Sequence, residues 1–447
     1  MRLILASLAL GLAAGQPALA QSASVPTGAD PLRAAISADL PYVQSLYVDL
    51  HKAPELSFHE AKTAARMAQE LKKAGFTDVT TGVGGHGVVG VLKNGEGPTL
   101  LIRADTDALP VKEQTGLPYA STVVTKDETG AEVPVMHACG HDIHMSAWVG
   151  TARRLVALKD QWRGTLVMIA QPAEERGGGA KAMLEDGLYK RFPKPTHVVA
   201  LHVNAAIPAG SVGIHSGYAM ANVDSVDVTV RGVGGHGAYP HTTKDPVVLS
   251  AHIVTALQTL VSRTNNPAEP AVVTVGSIHG GTKHNIIPDT VKLELTERSY
   301  GDDVRDSLLS GIKRIAEGQA AAFGVPQELW PVVEVKNEYT PSTFNTDGLS
   351  GQLQGVFKAR FGDDRVVETR PAMGGEDFSR YYREDRSLES TLFWLGAVKQ
   401  STWDEAQKAG KPLPSLHSPF FAPDPQPTLA TGIEAMTAGA LAVLSGK

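Results

Sequence analysis

The stretch Met136–Met145, MHACGHDIHM, holds the chain's one cysteine, Cys139, with His137 and His141 two residues to either side. Three potential metal ligands thus crowd into five residues. Gly140 separates Cys139 from His141, and a glycine there permits a turn that aims both side chains at one centre. Thiolate and imidazole both suit zinc and similar borderline ions. A lone cysteine is ordinarily a small buried hydrophobe, and a lone histidine a surface or satisfied core residue. The cluster argues instead for a metal centre, and the segments around it extend that argument.

Upstream, PTLLIRAD (98–105) reads as a strand running into ADTDALP, which places Asp105 and Asp107 just beyond its carboxyl end. Downstream, a helix from about Ile143 to Leu158 leads to the strand GTLVMIAQP (164–172), which ends at Glu174 and Glu175. Neighbouring carboxylates repel, so such a pair calls for a cation or a shared proton. THVVALHV (196–203) delivers His202 at its tail, and LHSPFF (416–421) offers His417 in a Pro/Ser-rich loop without packing duty. In open α/β sheets, ligands bind outside the carboxyl ends of the strands. The Cys/His cluster and the three strand ends bearing Asp105 and Asp107, Glu174 and Glu175, and His202 make four segments converging on one sheet edge, and they predict an α/β catalytic domain built around it.

The remaining chain supplies scaffold. Two helices are expected before His51, broken near Pro41, with Val43, Leu46, Tyr47 and Leu50 on one face. Ser57 and Glu60 form a capping-box pattern for the next helix, which Gly75 ends, while His51 and His59 read as surface residues. GVVGVLK (87–93) is a further strand, joined to the next by the Asn94–Gly97 turn. From Tyr218 the pattern changes, and the order βαββαβ across 223–336 predicts a ferredoxin-like unit inserted in the larger domain. The expected division is a catalytic domain in two parts, 30–217 and 339–447, around a lid or dimerisation domain at 218–338.

Length beyond the ~250–300 residues at which single cores stop growing agrees with two domains. A formal charge of −6 and no Lys/Arg run argue against nucleic acid as a partner. Residues 1–20, MRLILASLALGLAAGQPALA, read as a secretory signal cut near Ala20, with 21–29 a leader. Its apolar run is shorter than the ~20 residues a membrane span needs. A periplasmic or secreted mature protein, with no membrane attachment after cleavage, is the expectation. An unpaired thiol in an oxidising compartment is explained by metal ligation.

Read together, RADTDALP, HACGHD, QPAEE, ALHV, GGHGAYPH, NIIPD, GGEDFS and LHSPFF resemble the metal-dependent aminoacylase/carboxypeptidase family of di-zinc peptidases. The nearest likeness is to its branch of hippurate hydrolases and auxin-conjugate amidohydrolases. The resemblance implies a di-metal exopeptidase-like catalytic domain with an inserted ferredoxin-like lid that often joins two chains as a homodimer. It also implies two divalent ions, Zn²⁺ or Mn²⁺, with Co²⁺ a third candidate. By position, Cys139 would bridge the ions, His141 and His202 would complete one site, and Glu175 and His417 the other. Glu174 matches the general base. Asp107 matches an aspartate that orients a ligand, while Asp105 stands where related branches have a ligand histidine. His236, Asn285 and Arg298 match lid residues that hold the substrate's carbonyl oxygen and carboxylate. Leu295 stands where the branch more often has Gly, and Arg176 interrupts what is often a glycine run.

The implied activity is hydrolysis of the amide bond of N-acyl amino acids of the hippurate type, by metal-activated water with Glu174 as base. A di- or carboxypeptidase acting on short peptides is the alternative. A periplasmic binding protein would keep the ligands but has no use for Glu174.

Overall fold

The computed structural model describes residues 30–337 and 339–445. The expected signal (1–20) and leader (21–29) lie outside the described residues.

Strands that are near-continuously apolar at the centre and more polar at the two edges form an eight-stranded sheet. Its order is Asp78–Val83, Gly87–Asn94, Gly164–Gln171, Thr99–Asp105, His197–Pro208, Glu389–Val398, Val212–Ile214, Val366–Glu368. Thr99–Asp105 runs parallel to Gly164–Gln171 and to His197–Pro208, which in turn runs parallel to Glu389–Val398. Parallel strands are covered on both faces, which is why they carry so few polar residues. Side chains alternate between two cores: Leu100, Ile102 and Ala104 join one, and Leu101 joins the other. The helices Pro31–His51, His141–Ala157 and Pro425–Leu444 pack on one another over the first face. Pro425–Leu444 is long and apolar enough to cross a membrane, but 78% of its most apolar window is buried in this core.

A second sheet, ordered Ala271–Gly280, Thr290–Ser299, Asn222–Arg231, Val332–Val335, is antiparallel throughout. Alternate residues Val226, Val228 and Val230 meet Leu293, Leu295 and the apolar faces of Pro246–Thr259 and Asp302–Ala322 in a core of their own. The chain order is the expected βαββαβ, within a mixed α/β molecule.

Three local expectations are corrected. Pro31–His51 is one helix that runs through Pro41. Proline removes a single backbone bond, and burial of Val43, Leu46, Tyr47 and Leu50 on one continuous face outweighs that loss. The capping box is not made: Ser57 Oγ donates to Asp107 Oδ2 at 2.6 Å, and Glu60 Oε1 accepts from Ala173 N at 2.7 Å. His51 is buried, with Nδ1 2.6 Å from Asp142 and Nε2 3.1 Å from Glu113. Gly75 does end its helix as expected, in the left-handed conformation at φ 108°.

Candidate active site

The carboxyl edge of the parallel strands gathers the ligand types. Thr99–Asp105 ends on Asp105 with Asp107 beyond it, and the turn after Gly164–Gln171 carries Glu174 and Glu175. His202 lies within His197–Pro208, and His141 opens the helix His141–Ala157. Three non-glycine residues among those described have left-handed backbones: Phe58 (φ 65°), Ala173 (φ 51°) and His417 (φ 66°). Each is, or adjoins, a residue of the site. Such backbone strain persists only where surrounding structure enforces it.

Two of the histidines have their second nitrogen already spoken for. His141 Nδ1 donates to Asp107 O at 2.8 Å, and His202 Nδ1 donates to Val203 O at 2.8 Å. Their Nε2 atoms are thereby the ones turned inward, toward the place an ion would occupy. His202 Nε2 is 3.6 Å from Cys139 Sγ, His141 Nε2 is 3.8 Å from Glu175 Oε1, and His417 Nε2 is 3.5 Å from Glu175 Oε2. Cys139, Glu175 and His417 form one group whose donor atoms lie within 4.8 Å of one another; His141, Glu174 and Glu175 form a second. His202 and His141 also group with Asp105 and His144. His144 is not free to ligate, because Nδ1 donates to Asp105 Oδ1 at 2.6 Å and Nε2 accepts from Val203 N at 2.8 Å.

Asp105 is equally committed: its other oxygen takes Arg103 Nη1 at 2.6 Å. The Arg103 guanidinium is fully buried and also meets Glu376 at 2.7 Å and Asp377 at 3.2 Å. Asp107 accepts from Ser57 Oγ and, at 3.0 Å, from Glu175 N, so it ties the Glu pair to the strand that precedes it.

The electrostatics fit divalent cations. Burial, with Glu376, Glu175 and Asp377 adding to it, pushes the Glu174 carboxyl far up. Burial lifts Glu175 to about 8 against the pull of His141. Burial and then Glu175 and Glu174 push the Cys139 thiol well above its usual value. For His141, burial is outweighed by Asp105 and Asp107, which hold it up at about 10. Buried His141 Nε2 and Glu175 Oε1 have no hydrogen-bond partner. Unpaired buried donor atoms and carboxylates this crowded are costly alone, and a bound cation reverses each penalty.

A cavity of about 480 Å³ opens onto Cys139, Glu174, Glu175, His202 and His417, and Arg298 lines it from the second sheet. Arg298 Nη1 donates to Met373 O at 2.9 Å. Among the described residues no carboxylate side chain lies within ion-pair distance of it, and strand alternation puts neighbouring Glu297 on the buried face. His236 and Asn285 are brought together elsewhere. Gly235–His236 ladders with Ile286–Ile287, and Gly237 N donates to Asn285 O at 2.9 Å, in an exposed ribbon that does not line the cavity.

Sequence reasoning missed Arg103, His144, Glu376 and Asp377 as parts of the site. Arg103 stood out in principle as the one charge inside an apolar strand, and His144 as the third histidine of the motif, one helical turn from His141. Glu376 and Asp377 lay in a quoted motif, GGEDFS, with no task attached.

The family model for peptidase family M20/M25/M40 matches residues 101–409. The chain is 36% identical over 360 residues to N-acetyl-L-cysteine deacetylase of Bacillus subtilis, covering 79% of this chain and 80% of that protein. It is also 36% identical over 351 residues to thermostable carboxypeptidase 1 of Saccharolobus solfataricus, covering 78% and 84%. The crystal structure of Bacillus subtilis YXEP, described as a dinuclear metal binding peptidase, superposes with a TM-score of 0.72 at 28% identity, covering 91% of this chain and 99% of that one. With ligand-bearing strand ends, a carboxylate pair and an inserted second sheet all in place, the chain belongs to peptidase family M20/M25/M40, as a metal-dependent hydrolase of amide bonds.

Proposed function

We propose that this protein hydrolyses the amide bond of N-acyl amino acids of the hippurate type. The observation that carries the reading is Arg298, a guanidinium that has no carboxylate partner among the described residues and faces the same cavity as the Glu pair. Its planar fork suits a free carboxylate held bidentately. Residues Cys139, His141, Glu175, His202 and His417 would hold two divalent ions, Zn²⁺ or Mn²⁺ with Co²⁺ a third candidate. When bound, such ions acidify a water and polarise the amide carbonyl. The Glu174 carboxylate takes the water's proton and returns it to the leaving nitrogen, a role worth about 10²–10⁴ in rate. Asp107 keeps the His141 ring in its orientation, and Arg103 offsets the charge of Asp105, Glu376 and Asp377. His236 and Asn285, exposed on their ribbon, are supplied to the site of a second copy of the chain, which makes the working molecule a homodimer. Residues 1–20 direct the chain to the periplasm or outside the cell.

Arg298→Ala tests the substrate. The expected outcome is a loss of kcat/KM of about 10²-fold on an N-acyl amino acid and a much smaller loss on its amide or ester, since the charge-assisted pair exists only with the free acid. Equal losses on acid and amide would remove Arg298 from carboxylate binding.

A further inference from the structure

A second compartment of about 700 Å³ adjoins the catalytic cavity, and the two share Met220, Gly374, Trp394 and Leu416. The junction lies beside an ion ligand, because the Trp394 and His202 rings meet edge to face with centroids 5.5 Å apart. Beyond the junction the walls include Ile207, Val367 and Leu413. Val367 is 38% exposed, and Leu413 is only partly covered.

One wall comes from a segment that contributes little to either core. The helix Gln400–Ala409 buries none of its own residues. It is held to the strand that bears His202 by a bond from Trp403 Nε1 to Ala206 O at 3.1 Å. The loop that follows brings Leu413 and then Leu416 over the compartment and ends at His417. A segment that packs on the core only through Leu416, pinned beside the reaction centre and turning apolar side chains to a void, is arranged as the wall of a binding site. Apolar surface left in water is unfavourable by about 25 cal/mol per Å², and an apolar substrate group that covers it recovers that free energy.

We propose that this compartment binds an apolar group of the substrate and sets the preference for bulk, with Leu413 and Val367 as specificity residues. The inference rests on the N-acyl amino acid reading and adds to it the place where an aromatic or long aliphatic group is held, and the residues that select such a group over a simple acetyl. Two parts of such a substrate have the required chemistry, the acyl group and the amino-acid side chain.

The test uses the full metal-loaded enzyme and two narrowing variants, Leu413→Trp and the more exposed Val367→Trp, so that a folding defect in one leaves the other. N-acetyl-, N-benzoyl- and N-decanoylalanine vary the acyl arm; N-acetylalanine and N-acetylphenylalanine vary the side-chain arm. The expected result is that the wild-type enzyme favours the bulkier member of one arm. In the variants the bulky-to-small ratio of kcat/KM in that arm falls about 10–100-fold, the range available to apolar pocket contacts. The arm that responds identifies the group that is bound. Ratios unchanged in both arms, or a uniform fall on every substrate, would overturn the compartment's role. A wild-type enzyme that cleaves no N-acyl amino acid removes the proposed function instead. Dipeptides with Ala or Phe at each position then carry the same ratio, judged by the same rule.

Discussion

His51 is a buried histidine held between Asp142 and Glu113. Burial alone would lower its pKa, but the bonds to Asp142 and Glu113 outweigh it and hold it up at about 10. A folded pKa raised above the unfolded ~6.5 means that the stabilisation is complete below about pH 6.5 and is lost as pH rises through about 10. The Tm gap between wild type and His51→Gln should therefore be widest near pH 6 and shrink steadily toward pH 10, measured by thermal melting. A gap independent of pH would show that His51 is neutral in the folded protein. Nothing local in the sequence marked this residue. Its partners lie 62 and 91 positions away, so only the tertiary fold reveals that two carboxylates enclose it. Cys139, His141, Glu174 and Glu175 were legible because each pair of ligand types is adjacent or nearly so in the chain. Arg298 stood out only through resemblance, since the sequence around it does not say which cavity it faces.

At the scale of the element, Gly140 joins the cysteine to the helix that carries His141. It sits at φ 80°, and a Cβ there would come within 2.6 Å of Val203 Cγ2, next to His202. Gly140→Ala would thus strain the backbone and displace two ligand-bearing elements at once. The expected outcome is a loss of about 10–100-fold in metal affinity, the scale of disturbed ligand support, read by competition with a chelator. Unchanged affinity would show that the loop relaxes without moving Cys139 or His141. Helix and strand limits were readable within a few residues in the elements around the motif: the helix expected from about Ile143 to Leu158 is His141–Ala157, and the strand expected at 164–172 is Gly164–Gln171. Ser57 and Glu60 were misread for an instructive reason. The capping pattern is a local signal, and both side chains found better partners in Asp107 and Ala173, across the site.

For the whole molecule, the His236–Asn285 ribbon lies outside the lining of the cavity, which raises the question of how the site is completed. If a second copy supplies the ribbon, Cys139→Ala and His236→Ala are each inactive alone but recover activity when unfolded together, refolded and reloaded with metal. In the hybrid dimer one site has intact ligands of its own and an intact ribbon from its neighbour. No recovery, with hybrid dimers verified by mass, would place His236 in its own chain's site. The ten residues Ala271–Gly280 form an exposed edge of the second sheet, with Ile278 55% exposed, and offer a surface for that pairing. The central sheet also carries a clock. Glu389–Val398 lies inside the sheet, between His197–Pro208 and Val212–Ile214, yet in chain order it follows every other strand of that sheet. His417 follows it, and the Pro425–Leu444 helix that seals the core comes later still. During synthesis, Cys139 and the Glu pair are therefore made long before the strand and histidine that finish their surroundings. The nascent chain cannot close the site until those later segments arrive.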